Sequence, residues 1–336
     1  MIPLGVTIKD IAKLANVSHT TVSRALNGSP LIKPDTKKKI LELAEQLHYV
    51  PNYSAKSLVL KKSYTIGLFF TSISNGTSST FLANVIKGVN GEIDENYNLF
   101  VRGIDDFKDF AAINGQRFDG IVLMSQSDED DAFIEHVKQQ NIPIVVLNRE
   151  IDDPSITNIL SNDESGAMEA TNYLISQGHA RIAIIEGKES FKTALKRKNG
   201  YMQALMQNSL AINKRYIVKG SYDMESGYNA MEQLLALNNP PSAVFCSNDD
   251  MAIGAINAIF ANGLHVPNDI SIVGFDNSAF SQYVMPKLTT VQRPIEQISQ
   301  KGAKKLLELI NDSNETGESV FVKTELIIRD SVIPQL

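Results

Sequence analysis

Apolar residues recur at helical spacing near the start of the chain, at Ile8, Ile11, Ala12 and Ala15, then at Val22 and Leu26, then at Ile40, Leu43, Ala44 and Leu47. This spacing predicts three short helices, each with one face to bury against the others. The punctuation agrees with it. Thr7 followed by Asp10 is a capping signal for the first helix, and Ser18 can cap a second that stops at Asn27-Gly28. Lys33-Pro34-Asp35 opens the third, with Pro34 at a position where a missing N–H costs nothing. Pro51 ends the head, and Tyr53 to Leu60 is helix-compatible but too short to persist alone in water.

From Thr65 the pattern changes to short apolar runs separated by helical stretches. Thr65–Phe70, Asn98–Val101, Gly120–Met124 and Ile144–Leu147 read as strands, with helices near Phe81–Glu95 and Asp130–Gln140. A second series holds strands at Ile182–Glu186, Ile217–Lys219, Ala243–Cys246 and Ile270–Phe275. Strands alternating with helices imply parallel sheets, and two series imply two doubly wound subdomains facing a cleft. Leu288 to Val291, a helix over Ile295–Ile310 and a last strand near Val320–Ile328 are expected to cross back between them, with Leu306, Leu307 and Ile310 in the core. The expected division is a head over 1–50, a linker over 51–63 and an α/β core over 64–336. Within the core, a first subdomain takes 64–160 and 292–318, and a second takes 161–291 and 319–332.

Two short helices joined by a tight turn form either a helix-turn-helix or a plain packing hairpin, and the periodicity alone leaves these two even. The outer face of the second helix separates them. His19, Thr20, Thr21, Ser23 and Arg24 are short or hydrogen-bonding residues where an ordinary surface helix would carry Glu and Lys. Such a face fits deep in a major groove, where an arginine can contact guanine with two hydrogen bonds.

Charge supports that choice. The chain is −6 overall, yet residues 1–62 hold ten Lys or Arg against four Asp or Glu. A basic head on an acidic body is the distribution expected when one end meets a polyanion. Lys37, Lys38 and Lys39 sit in the first turns of the third helix, against its dipole, which a phosphate partner or plain solvation would explain. The single cysteine, Cys246, forbids an internal disulfide, and no apolar run reads as a signal peptide or membrane span. A cytoplasmic location follows as the expectation.

The stretch Thr7 to Asn27, the run His48-Tyr49-Val50-Pro51-Asn52 and the run Ser54-Ala55-Lys56-Ser57-Leu58 resemble, in that order, the amino terminus of lactose-repressor-type (LacI/GalR) transcription regulators. The resemblance resumes in blocks across nearly all 336 residues. It implies a homodimer on a pseudo-palindromic double-stranded operator and a periplasmic-binding-protein-like core of two parallel-sheet subdomains. It implies DNA contacts from Thr7, Ser18, His19, Thr20, Thr21, Ser23, Arg24 and Asn27. A hinge helix that folds on DNA would add Asn52, Tyr53, Ala55, Lys56 and Leu58, with Leu58 as the wedge in the minor groove. Lys56 departs from the family's usual arginine, keeping the charge without the planar fork.

The same resemblance points to an effector cleft. It carries over Arg197 from Ala194 to Tyr201, Asn248 with Asp249 as a further candidate from Cys246 to Ala252, and Asp276 from Gly274 to Asn277, with Phe81 on the amino-terminal wall. Arginine, amide and carboxylate together suit the vicinal hydroxyls of a sugar. Taken singly, each is as readily a surface or capping residue. The insertion Gly76-Thr77-Ser78-Ser79-Thr80 and a short crossover from Arg102 to Phe118 depart from the family pattern and leave the effector's identity open.

Glycine-rich phosphate loops, a nucleophile elbow, paired cysteines and closely spaced histidines are all missing from the sequence, so neither an enzyme, a cofactor nor a metal is expected. The reading is a regulator of carbohydrate genes, a repressor, controlled by a small sugar. The alternatives are a catabolite-control regulator with a phosphoprotein co-repressor and a sugar-binding receptor protein. The receptor would need a signal peptide and no basic head.

Overall fold

A computed structural model describes residues 6–26, 29–49, 62–312 and 317–335. The chain divides into two compact units, Met1–Lys62 and Ser63–Leu336.

In the first unit, helices α1 (Ile8–Ala15), α2 (His19–Leu26) and α3 (Pro34–Gln46) enclose one small core. Ile11, Ala12 and Ala15 of α1 meet Val22 and Ala25 of α2 and Ile40 and Ala44 of α3, all buried. Leu26, Leu43 and Leu47 only partly enter that core, and Ala25 is the fully buried residue near the end of α2. Asp10 accepts hydrogen bonds from the Thr7 N–H at 2.8 Å and the Thr7 hydroxyl at 2.6 Å, which holds its carboxyl below the usual range. Asn16 ends α1 in the left-handed region, and the Ser18 hydroxyl accepts from the Thr21 N–H at 3.0 Å to start α2. Asn27, Asn52, Tyr53, Ala55, Lys56 and Leu58 lie outside the described residues, and with them nearly all of the expected hinge.

The second unit holds two six-stranded sheets. The first contains β1 (Thr65–Phe70), β2 (Asn98–Gly103), β3 (Gly120–Met124), β4 (Ile144–Leu147) and β5 (Thr157–Ser161), with β11 (Ser319–Val322) at its edge. The second contains β6 (Ile182–Glu186), β7 (Ile217–Lys219), β8 (Ala243–Cys246), β9 (Ser271–Asp276) and β10 (Thr289–Gln292), with β12 (Glu325–Ile327) antiparallel at its edge. Side-chain alternation gives each sheet two apolar faces. Ile66, Leu68 and Phe70 of β1 face one core, shared with α4 (Ser79–Glu92) and α10 (Ile295–Asn311), while Phe69 faces the core that includes α5 (Asp131–Gln139).

In the second sheet, Ile182 and Ile184 face α6 (Asp163–Ser176) and α7 (Lys192–Gln207). Ala183 and Ile185 face α8 (Met224–Leu235) and α9 (Asp249–Ala261). The last two helices touch backbone to backbone. A Cβ on Gly227 would lie 2.2 Å from Met251 O, and one on Gly254 would lie 2.0 Å from Met224 O. Leu306 is fully buried on α10, whereas Leu307 and Ile310 reach only half-burial.

Three strands depart from the expectation. β5 escaped notice because Thr157 and Asn158 break its apolar run, although both are buried in the sheet. The single last strand is two strands. Ser319–Val322 pairs parallel with β5 in the first sheet, and Glu325–Ile327 pairs with β10 in the second. The expected boundary at 318 therefore falls one strand early, and the chain crosses at Lys323-Thr324. With Ser161–Asp163 and Gln292–Ile295, that makes three crossings between the sheets among the described residues. Among the described residues no helix is long and apolar enough to cross a membrane.

Candidate functional site

The head presents one polar face. Burial of Val22 and Ala25 turns Ser18, His19, Thr20 and Arg24 outward, with Thr21 and Ser23 at its margins. Two of these groups also do structural work, since Ser18 and Thr21 share a hydrogen bond of 2.8 Å between hydroxyls. Thr7 is exposed at the start of α1, and its side chain is engaged with Asp10. Lys39, one of the three lysines opposing the α3 dipole, reaches the Ala15 carbonyl at 3.4 Å and ties α3 to the end of α1. Its cation thereby caps one of the orphan carbonyls at the α1 terminus.

Between the two sheets lies a cleft centred on Arg197 in the second turn of α7. The guanidinium is buried and stacks 3.9 Å from the centroid of Phe275. It donates to Asp163 through Nε at 3.1 Å and Nη2 at 2.9 Å, and to the Ser247 carbonyl through Nη1. Asp276 Oδ1 stands 3.7 Å from Nη2, buried and without a hydrogen-bond partner. Burial alone would lower the Arg197 pKa, but Asp163 and Asp276 beside it raise it above the ordinary value. Burial likewise works against ionisation of Asp163, where Arg293 and Arg197 prevail and hold the carboxyl below its usual range. Asp163 is thus a shared anion between two guanidiniums, with Arg293 Nε 3.3 Å away.

Arg293, just ahead of α10, links the subdomains by donating to Ser161 Oγ at 2.8 Å and to Asn148 Oδ1, with its guanidinium 5.7 Å from the Phe81 ring centroid. Its pKa is lowered by burial, partly opposed by Asp163. Phe81, Arg197, Asn248 and Asp276 therefore line one cavity, together with Tyr222 and Arg293. A wider cavity of about 570 Å³ adjoins it, sharing Asn148 and Thr193 and opening toward Arg149, Lys192 and Phe321. The two subdomains also meet across Lys192, whose N–H donates to Gln126 O at 3.0 Å and whose Nζ lies 2.5 Å from Asp128.

Asn248 has a double position. It lines the cavity, yet its Oδ1 accepts from the Met251 N–H at 2.9 Å to cap α9 and its Nδ2 donates to Tyr222 O at 3.0 Å. One N–H and one lone pair of its amide are thereby engaged. Sequence reasoning missed Asp163, Arg293, Asn148 and Tyr222. The run Ser161-Asn162-Asp163-Glu164-Ser165 reads as an ordinary helix start, and only folding shows Asp163 pointing into the protein. Positive φ is the other shared trait: Asn148 (74°), Tyr222 (69°), Asp276 (109°) and Asn277 (51°) hold backbone conformations that cost non-glycine residues energy and concentrate at functional sites.

Comparison with known proteins gives a consistent picture. Residues 7–52 match the family of bacterial regulatory proteins of the lacI type, and residues 171–332 match a periplasmic binding protein-like domain. The chain is 64% identical to the probable HTH-type transcriptional repressor ExuR of Bacillus subtilis (strain 168), covering 97% of this chain and 98% of that protein. It is 36% identical to catabolite control protein A of Priestia megaterium, covering 95% and 96%. Among solved structures it is similar to the lac repressor dimer bound to operator and the anti-inducer ONPF, with a TM-score of 0.84 at 26% identity over 98% of this chain and all of that one. It is similar also to a complex of the transcriptional regulator CelR with cellobiose, with a TM-score of 0.74 at 26% identity over 97% and 99%.

Proposed function

Since the chain belongs to the lacI family of bacterial regulatory proteins and is a DNA-binding transcriptional regulator, we propose that it is a homodimeric repressor of carbohydrate genes, controlled by a small sugar or sugar derivative in the cleft. The head, over 1–50, reads a pseudo-palindromic operator through His19, Thr20 and Arg24, with Thr7, Ser18, Thr21, Ser23 and Asn27 beside them. Asn52, Tyr53, Ala55, Lys56 and Leu58 form the hinge contacts. The protein works in the cytoplasm and catalyses no reaction.

One observation carries the effector reading. Asp276 Oδ1 is a buried acceptor without a donor, 3.7 Å from a guanidinium that is itself held by a second carboxylate. A buried unpaired acceptor is costly, and a hydroxyl donating to Asp276 while accepting from Arg197 would satisfy both. Vicinal hydroxyls of a sugar have that pattern, Phe81 and Tyr222 supply apolar walls, and the adjoining cavity is of ligand size. Closure around such a ligand changes operator affinity only if the ligand prefers one cleft state, and coupling of this kind is typically about 1–3 kcal/mol.

The test begins with thermal-shift screening of sugars and sugar phosphates, with and without operator DNA. Operator-bound wild type and Arg197→Ala are then titrated with the compound found. The variant is expected to keep operator binding and to stop answering the sugar. Release of both proteins at one sugar concentration removes Arg197 from the site. A phosphoprotein co-repressor, the alternative that the likeness to a catabolite control protein supports, would instead tighten operator binding in both proteins.

A further inference from the structure

α7 carries Arg197, yet no side chain of its own subdomain caps its start, because Phe191 stands at the N-cap and has no acceptor to offer. The first N–H of the helix, from Lys192, donates instead across the cleft to Gln126 O at 3.0 Å. Asp128, from the same loop of the first subdomain, sets its carboxylate 2.5 Å from Lys192 Nζ. A carboxylate there suits both the ammonium and the positive end of the helix dipole. A third contact comes from the loop after β1. Gly76 (φ 79°) packs so closely that a Cβ on it would lie 3.0 Å from Phe191 Cε2 and 3.2 Å from Lys188 Cδ. Three points of the first subdomain thus meet one segment of the second, 188–192.

The Gln126 carbonyl is aimed from within the first subdomain. Its N–H donates to Thr71 Oγ1 at 2.8 Å, and the Thr71 and Ser125 hydroxyls both donate to the buried Asp130 Oδ2 at 2.6 Å. Gly76, Gln126 and Phe191 wall the inner cavity beside Arg197 and Asp276, whose free space of about 30 Å³ has room for about two waters and not for a sugar ring. Asp128 and Lys192 line the outer cavity of about 570 Å³. These contacts therefore stand where the two cavities adjoin.

We propose that they form a latch: Gln126 and Asp128 cap the Arg197 helix from the opposite subdomain, and a ligand reaches Arg197 only when that cap is broken. The consequence is quantitative. If only the unlatched form admits a ligand, the association rate scales with the unlatched fraction, and exchange of the capped Lys192 N–H scales with it too. Weakening the latch raises both by one factor. The Lys192 and Asp128 side chains are 45% and 58% exposed, so salt screens the pair and acts in the same direction.

Amide hydrogen exchange in the full-length chain, read at Lys192 and corrected for the intrinsic rate, tests the cap without any ligand. Wild type is expected to protect that N–H, and to protect it less in about 1 M salt than in about 0.05 M. Asp128→Asn, which leaves Arg149 its bonds to Asp131 and Ser125, should speed exchange at Lys192 by about two- to tenfold and leave the amides of 201–205 unchanged. Asp128→Glu should keep the wild-type protection. A Lys192 N–H that exchanges at its intrinsic rate in wild type, or one indifferent to Asp128→Asn, overturns the proposal. The association arm rests on the effector reading given above. The sugar found by thermal shift should bind Asp128→Asn faster than wild type, by the factor that protection has lost, and an unchanged rate overturns the latch. If no sugar binds while the exchange results hold, the cap across the cleft stands and the effector reading alone fails.

Discussion

Replacing Asp163 by asparagine removes one charge and almost no volume, and it does so where two guanidiniums depend on that charge. Arg197 Nη2 and Nε lie 2.9 and 3.1 Å from Asp163 Oδ2, and Arg293 Nε lies 3.3 Å from Oδ1, with all three side chains within 4% of full burial. After the change Arg197 retains Asp276 at 3.7 Å, and Arg293 keeps its hydrogen bonds to the neutral Ser161 and Asn148 with the charge of Asp276 nearby. Breaking one partner out of a buried ion pair typically costs about 3–5 kcal/mol, because it leaves a charge without compensation. At about 2–4 °C per kcal/mol for a unit of this size, the core's unfolding midpoint should fall by roughly 6–20 °C.

Differential scanning calorimetry of the full-length protein near neutral pH measures this directly. Because the folded Asp163 carboxyl lies below its ordinary value of 3.8, its contribution is present above that pH and is lost as pH falls through the folded value. The difference between Asp163→Asn and wild type should therefore shrink in acid. A loss below about 1 kcal/mol at neutral pH, or a difference that grows toward acid, would refute the shared-anion account.

Arg24→Ala should cost about 1–3 kcal/mol on the preferred operator and relax preference at one base position, as read by competition binding; equal loss on random DNA would contradict base reading. Ile40→Ala, at a fully buried position between α1 and α2, should destabilise the head by about 2–5 kcal/mol and leave the core's thermal transition in place. For Asp249 the sign is opposite to that of Asp163: its folded value is raised to about 7 from 3.8, so its contribution is complete below pH 3.8 and declines as pH rises through 7. Asp249→Asn should flatten that part of the stability profile in denaturant titrations. His179 is buried between Ser242 and the Ile333 carbonyl with its pKa lowered by burial, so acidification should loosen the carboxy-terminal segment first, visible as faster amide exchange near Ile333.

Local periodicity and punctuation were sufficient for most of the secondary structure. Ile11, Ala12 and Ala15 bury because their spacing puts them on one face, and Thr7, Asp10, Ser18 and Pro34 mark helix starts by side-chain chemistry that acts within a few residues. The apolar runs of β1, β3, β4, β6 and β8 announced strands covered on both faces, and their alternation with helices announced parallel order. β5 and the split last strand were illegible for the converse reason. Thr157 and Asn158 are polar yet buried, held by their sheet partners and, for Asn158, by side-chain hydrogen bonds, and whether Ser319–Val322 or Glu325–Ile327 joins a given sheet is a matter of long-range pairing.

The site divides along the same line. Resemblance carried Phe81, Arg197, Asn248 and Asp276 to one cleft, which is where the structure places them. Their states were decided elsewhere in the chain. Asp163, 34 residues before Arg197, and Arg293, 130 residues after Asp163, set the charge of the guanidinium pair. Asn248 spends its amide on a helix cap and on Tyr222, which no spacing in the sequence could announce. Sequence fixes what each residue can donate, accept or ionise, because that is covalent chemistry. Which of those capacities remains open at the cleft depends on the dielectric and the partners brought within about 4 Å by folding, because desolvation and Coulomb energies change most steeply over that distance.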